Sequence, residues 1–82
     1  MNEKYHNVCI TITDREKDYK TVSEIIHQYA ENIHLRVGYP VPEGNIAIIF
    51  LILKMTNDKL GAFTGKLGQL KTVLVRATTL KF

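Results

Sequence analysis

The sequence predicts an α+β fold with its elements in the order strand, helix, strand, strand, helix, strand. Three observations carry that prediction. Four stretches alternate apolar residues or run continuously apolar at strand length, two recur at helical spacing of three and four, and both prolines fall in one short segment between strands.

Val8, Ile10 and Ile12 alternate with Cys9, Thr11 and Thr13, the period-two pattern of a first strand. The polar cluster 14–18 ends it. From Tyr19, Val22, Ile25, Ile26, Tyr29 and Ile33 recur on one helical face, opposite Ser23, Glu24, Gln28 and Glu31. Ile33, Leu35, Val37 and Tyr39 then alternate with His34, Arg36 and Gly38 as a second strand. Residues 40–45 form a turn between antiparallel strands. The third strand, 46–53, is apolar at every position. Thr56, Asn57 and Asp58 offer capping oxygens to a second helix whose buried stripe is Leu60, Phe63, Leu67 and Leu70. Val73, Val75 and Ala77 alternate with Leu74, Arg76 and Thr78 in the last strand. Right-handed crossovers in this order give a ferredoxin-like βαββαβ domain, a four-stranded antiparallel sheet with two helices on one face.

The chain has 82 residues, 45% of them hydrophobic and 23% charged. That is room for one domain, residues 1–82, and excludes a disordered or collagen-like chain. A lone cysteine, Cys9, excludes a disulfide framework and a zinc site of paired thiolates, and fits a reducing compartment. The longest apolar run, eight residues from Ile46 to Leu53, is far below the roughly 20 that span a bilayer. With no export signal at the start, a cytoplasmic location without membrane partners is predicted. Charge is uneven: residues 1–49 carry five basic and seven acidic side chains, and residues 50–82 carry six and one. The cations are spaced singly, as on a solvated face, although such a bias also suits an anionic partner.

The third strand makes the sharpest statement. A sheet covered by helices on one side alternates apolar-in and polar-out, yet here Ala47, Ile49, Leu51 and Leu53 are as apolar as Ile46, Ile48, Phe50 and Ile52. Ala47, Ile49, Leu51 and Leu53, or their partners in their place, are expected on the face away from the helices. There they form an oligomer interface, and the predicted partner is a second copy, in a homodimer or homotetramer.

Gly61, Gly65 and Gly68 add a second oddity, since each internal helical glycine costs about 1 kcal/mol relative to alanine. Close packing on the sheet or a neighbouring subunit explains them, and so does a ligand pocket at the helix–strand junction. On the second reading Gly38, Gly61, Gly65 and Gly68 admit a small effector and Lys66 neutralises its anionic group.

Other chemistry finds little support. His6, Cys9, His27 and His34 are the borderline and soft metal ligands, but only His6 and Cys9 have ligand-like spacing, and on a strand they point to opposite faces. No metal site and no cofactor are predicted. Cys9 sits mid-strand, Ser23 mid-helix without a base, and Glu24 and Glu31 on an exposed flank, so no catalytic residues are assigned. Residues 61–66 lack phosphate-loop spacing. For nucleic acid, the central strands offer only Phe50 and Tyr5 as stacking rings, and no helix-turn-helix is present. Direct reading by this chain alone is disfavoured.

Arg36-Val37-Gly38-Tyr39-Pro40, Glu43-Gly44-Asn45-Ile46-Ala47-Ile48-Ile49, Asn57-Asp58 and Ala62-Phe63-Thr64-Gly65-Lys66-Leu67-Gly68-Gln69-Leu70 resemble the iron-only hydrogenase system regulator family, as does Ile10-Thr11-Ile12-Thr13-Asp14-Arg15. The resemblance implies an ACT-like regulatory module that oligomerises. It also implies kinship with the carboxy-terminal half of the nickel-responsive repressor, whose ligand pattern and DNA-binding ribbon this sequence does not reproduce. The expected function is a non-enzymatic, transcription-associated oligomeric regulator with a small effector. The alternatives are an interaction module without ligand and a nucleic-acid-associated factor using the basic second half.

Overall fold

The computed structural model describes residues 2–82. Its elements are β1 (Lys4–Ile12), α1 (Arg15–Gln28), β2 (Ile33–Pro40), β3 (Ala47–Met55), α2 (Asn57–Gly68) and β4 (Val73–Thr79). The sheet order is β2-β3-β1-β4 with every pair antiparallel. The predicted ferredoxin-like arrangement is therefore the observed one.

Element boundaries differ from the sequence reading for local reasons. β1 starts at Lys4 because its ladder to β3 continues through Lys4 opposite Met55, past the polar residues that hid it. α1 starts at Arg15, four residues ahead of the periodic stretch. Asp14 is its cap, accepting from the Lys17 amide at 3.3 Å, and Glu16 and Asp18 in the first turn oppose the positive end of the helix dipole. The helix stops at Gln28, and a 3-10 turn at Ala30–Asn32 leads into β2, so Ile33 belongs to the strand and not to the helix. Thr56 caps α2 by accepting from the Lys59 amide at 3.2 Å. In the β2–β3 turn Gly44 has φ +71°, a conformation that side chains resist.

The core lies between the sheet and both helices. Val8, Ile10 and Ile12 of β1 and Ile49, Leu51, Leu53 and Met55 of β3 meet Val22, Ile25 and Ile26 of α1 and Phe63 and Leu67 of α2. Tyr29 and Phe63 close one end, their ring centroids 4.8 Å apart. Two polar latches pin the ends of the sheet. At one, the buried His6 places Nε2 2.9 Å from the Met55 carbonyl and Nδ1 3.0 Å from the Thr79 hydroxyl. A carbonyl only accepts, so Nε2 carries the proton and Nδ1 accepts from Thr79. At the other, the Thr72 hydroxyl and amide donate to Asp18 Oδ2 at 2.5 and 3.1 Å, while the Thr13 amide donates to the Thr72 carbonyl at 2.7 Å.

Candidate functional site

The sheet face away from the helices is uncovered within the protomer, and strand register sets its composition. One cross-strand row is Tyr39, Ile48, Thr11 and Leu74. The next is Val37, Phe50, Cys9 and Arg76, and the third is Leu35, Ile52, Asn7 and Thr78. Tyr39, Val37, Leu35, Phe50 and Leu74 all count among the exposed large hydrophobics, Leu74 at 63% and Tyr39 at 56%. An apolar band thus runs along β2 and β3 and reappears on β4.

This corrects the predicted interface. Ala47, Ile49, Leu51 and Leu53 face the helices and are buried in the core. The alternate set faces outward: Ile48, Phe50 and Ile52, followed by Lys54. The antiparallel register decides it, because Ile49 opposes the core residue Ile10 and Phe50 opposes Cys9. One signal in the sequence could have settled the parity. Lys54 is in phase with Ile48, Phe50 and Ile52, and a charged residue marks the wet side of a strand.

At the β2 edge of the sheet a cleft of about 590 Å³ opens between the start of α1 and the β2–β3 hairpin. Arg15, Glu16 and Tyr19 line it from the helix. Gly38, Tyr39 and Ile48 line it from the strands, and Asn45 from the turn. The turn is fastened to the helix start, since Asn45 Nδ2 donates to Asp14 Oδ1 at 3.0 Å and the Arg15 amide donates to the Asn45 carbonyl at 2.8 Å. At Gly38 an added Cβ meets nothing within 4 Å, so the glycine leaves the cleft open where a side chain would enter it.

The five residues predicted for effector binding do not converge. Gly38 lines the cleft at the start of α1. Lys66 sits at the other end of that helix, donating to Gln28 Oε1 at 3.3 Å with its ammonium 5.1 Å from the Tyr29 ring centroid. A helix of 14 residues is about 20 Å long, so Gly38 and Lys66 serve different places. Gly61, Gly65 and Gly68 lie exposed along α2, and an added Cβ at any of them meets nothing within 4 Å. Sequence reasoning missed Arg15, Glu16, Tyr19 and Asn45, because their meeting depends on the hairpin folding back onto the helix start.

Among the described residues no three His, Cys, Asp or Glu side chains stand together as a metal-binding group. Asp18 is held below the usual carboxylate range. The Thr72 hydroxyl bond is the chief cause and outweighs the opposing effect of burial, with the Thr72 amide and the nearby Lys17 adding to it. This is a structural latch, and its partners are all satisfied.

Residues 4–77 match the TM1266-like family, described as iron-only hydrogenase system regulators. The chain belongs to that family. Among solved structures it is similar to the uncharacterized protein TM1266 from Thermotoga maritima, with 50% identity, a TM-score of 0.93, and coverage of 98% of this chain and 100% of that one. It is also similar to the crystal structure of the ACT domain from GTP pyrophosphokinase of Chlorobium tepidum. There the TM-score is 0.77 at 22% identity, covering 94% of this chain and 100% of that one. The solution NMR structure of the same domain gives 0.73 at 20% identity, covering 100% and 91%. At those identities the ACT likeness shows the fold alone. No curated protein matches the chain. The resemblance carried by the Gly-Tyr-Pro turn and the α2 segment is thus borne out for family and for ACT-like fold. The TM1266-like family is described as one of regulators, and no helix of the described residues is long and apolar enough to cross a membrane.

Proposed function

We propose that this TM1266-like protein is a non-catalytic regulatory module that pairs with a second copy through its bare sheet face and responds to a small effector in the Gly38 cleft. The uncovered apolar face carries the reading. Its four strands span about 19 Å and its three rows about 20 Å, a flat area of roughly 400 Å². Eight of its twelve residues are apolar, so covering the apolar two-thirds on two copies contributes on the order of 13 kcal/mol gross, of the same size as the roughly 4–15 kcal/mol that association costs. The middle row sets Phe50 beside Cys9 at the centre of the sheet. A twofold axis there closes the assembly at two subunits and leaves no apolar face to recruit more.

The cleft supplies a route from ligand to assembly. Tyr39 and Ile48 line it and also form the first row of the apolar face. A molecule that repositions the exposed Tyr39 ring has different affinities for the free and paired states, and that difference is what biases an assembly equilibrium. Arg15 and Glu16 of opposite charge, with two tyrosines and Asn45, suit an effector bearing both acidic and basic groups.

Light scattering tests the first half. The wild-type chain is expected at the mass of two copies, and Phe50→Asp at the mass of one with unchanged far-UV circular dichroism. A wild-type chain that stays single at high concentration overturns the reading. A thermal-shift screen of amino acids tests the second half, because a ligand of the folded state raises its melting temperature. Gly38→Val, whose side chain enters open space, is expected to abolish the response without lowering the baseline. A hit whose response survives Gly38→Val removes the effector from the cleft.

A further inference from the structure

One end of the bare sheet face differs in chemistry from the apolar rows. Tyr5 of β1 and Lys54 of β3 are register partners there. The Lys54 ammonium stands 5.5 Å from the Tyr5 ring centroid, and His34 meets the same ring edge-on at 5.3 Å. Past the end of β4 the Leu80 amide donates to the Tyr5 carbonyl at 2.9 Å. That bond extends the pairing and delivers Lys81 and Phe82 to the site. The Phe82 ring lies 5.7 Å from Tyr5, inclined at 33°, and is 97% exposed. Between these groups is a cleft of about 500 Å³, within the roughly 300–1,000 Å³ of small-molecule sites, lined by Lys4, Lys54 and Lys81 against a single acidic residue, Glu3.

We infer that this cleft is a second ligand site, separate from the Gly38 cleft, and that it takes a planar aromatic ring carrying a phosphate, as in a nucleoside monophosphate. The rings and the charges lead to the same class. Phe82, packed on Tyr5 and 97% exposed, presents a free ring face on which a base stacks, and base-on-aromatic stacking is worth about 1–3 kcal/mol. Lysine is a point-charge binder of phosphate, and three lysines beside the rings leave positive charge that an apolar ligand would not neutralise. A second copy of the chain fits poorly, since it brings the same lysines against one another. The backbone is held as well, because Asn32 Nδ2 donates to the Lys54 carbonyl at 3.0 Å and fixes the strand from which Lys54 projects.

The test is an NMR titration of the full chain with adenosine monophosphate, followed at the amides of Tyr5, Lys54 and Phe82. Saturable shifts confined to that end are expected, with a Kd of about 1 mM or tighter. Inorganic phosphate and adenosine should each bind at least 10-fold more weakly. Tyr5→Leu and the pair Lys54→Gln with Lys81→Gln should each weaken binding about 10-fold, whereas Gly38→Val should leave it unchanged. Absence of saturation at several millimolar overturns the proposal, and so does loss of binding in Gly38→Val, which would move the ligand to the other cleft. A short single-stranded RNA that binds far more tightly, with a steep salt dependence, also overturns it by making the site part of a nucleic-acid surface. None of these outcomes bears on subunit mass, so the pairing reading stands or falls separately.

Discussion

The two faces of β3 are made from nearly the same side chains and meet opposite environments. Ile49, Leu51, Leu53 and Met55 are sealed under two helices, while Ile48, Phe50 and Ile52 look out from the sheet with Phe50 36% exposed. In most two-layer domains the second set is polar. Hydrophobicity therefore says which strand is central but not which face is inside. Helix cover and strand register make that assignment, and the face left over is apolar and uncovered within the protomer.

Neighbouring truncations separate the faces most sharply. Leu51→Ala removes a fully buried side chain and is expected to cost about 2–5 kcal/mol of folding stability. Ile52→Ala, one residue on, is expected to change the stability of the dissociated protomer by about 0.5 kcal/mol or less and to weaken pairing instead. Urea unfolding at two protein concentrations distinguishes the effects, since only the pairing contribution moves with concentration. Equal losses from the two variants would mean that the outer face is packed within the fold.

That contrast also shows what the sequence could reveal. The strands and helices were legible because Val8, Ile10 and Ile12, or Leu60, Phe63 and Leu67, follow one period against polar neighbours. The parity of β3 was not, because a continuous apolar run has no period, and the one charged marker, Lys54, lies at its far end. The cap of α2 was legible in Thr56, but that of α1 was harder still. Asp14 sits in a polar cluster that reads as a loop, and its capping role appears only once Asn45 and the Lys17 amide converge on it. Of the first cleft only Gly38 was singled out for a ligand, and the second escaped notice, for a similar reason. Arg15 and Gly38, or Tyr5 and Phe82, are distant in the chain and meet only through the sheet order.

The bonds of the latch at Asp18 depend on a charge. With its folded pKa below the ordinary value, the carboxylate adds stability above about pH 3.9, and that stability is lost as pH falls through the folded value. Asp18→Asn is expected to be less stable than wild type near neutrality and to close the gap as the pH drops from about 5 toward 3. Urea midpoints across that range should converge. Parallel curves would show that the Thr72 bonds hold equally well without the charge.

The smallest expected effect concerns a surface that the sequence singled out more strongly than the structure does. Gly61, Gly65 and Gly68 on α2 suggested that something packs closely there, yet each position opens onto free space in the protomer. If pairing uses only the bare sheet, these glycines are a plain cost to the helix, and Gly65→Ala should stabilise the protein by about 0.5–1 kcal/mol. For a domain of this size that is a rise of roughly 2–8 °C in Tm, with subunit mass unchanged. If instead the glycine stripe is where helices of two copies touch, the added methyl group lowers Tm and shifts the mass toward single subunits. A melting curve and a mass on one variant thus decide whether contact between copies is confined to the sheet or extends to α2.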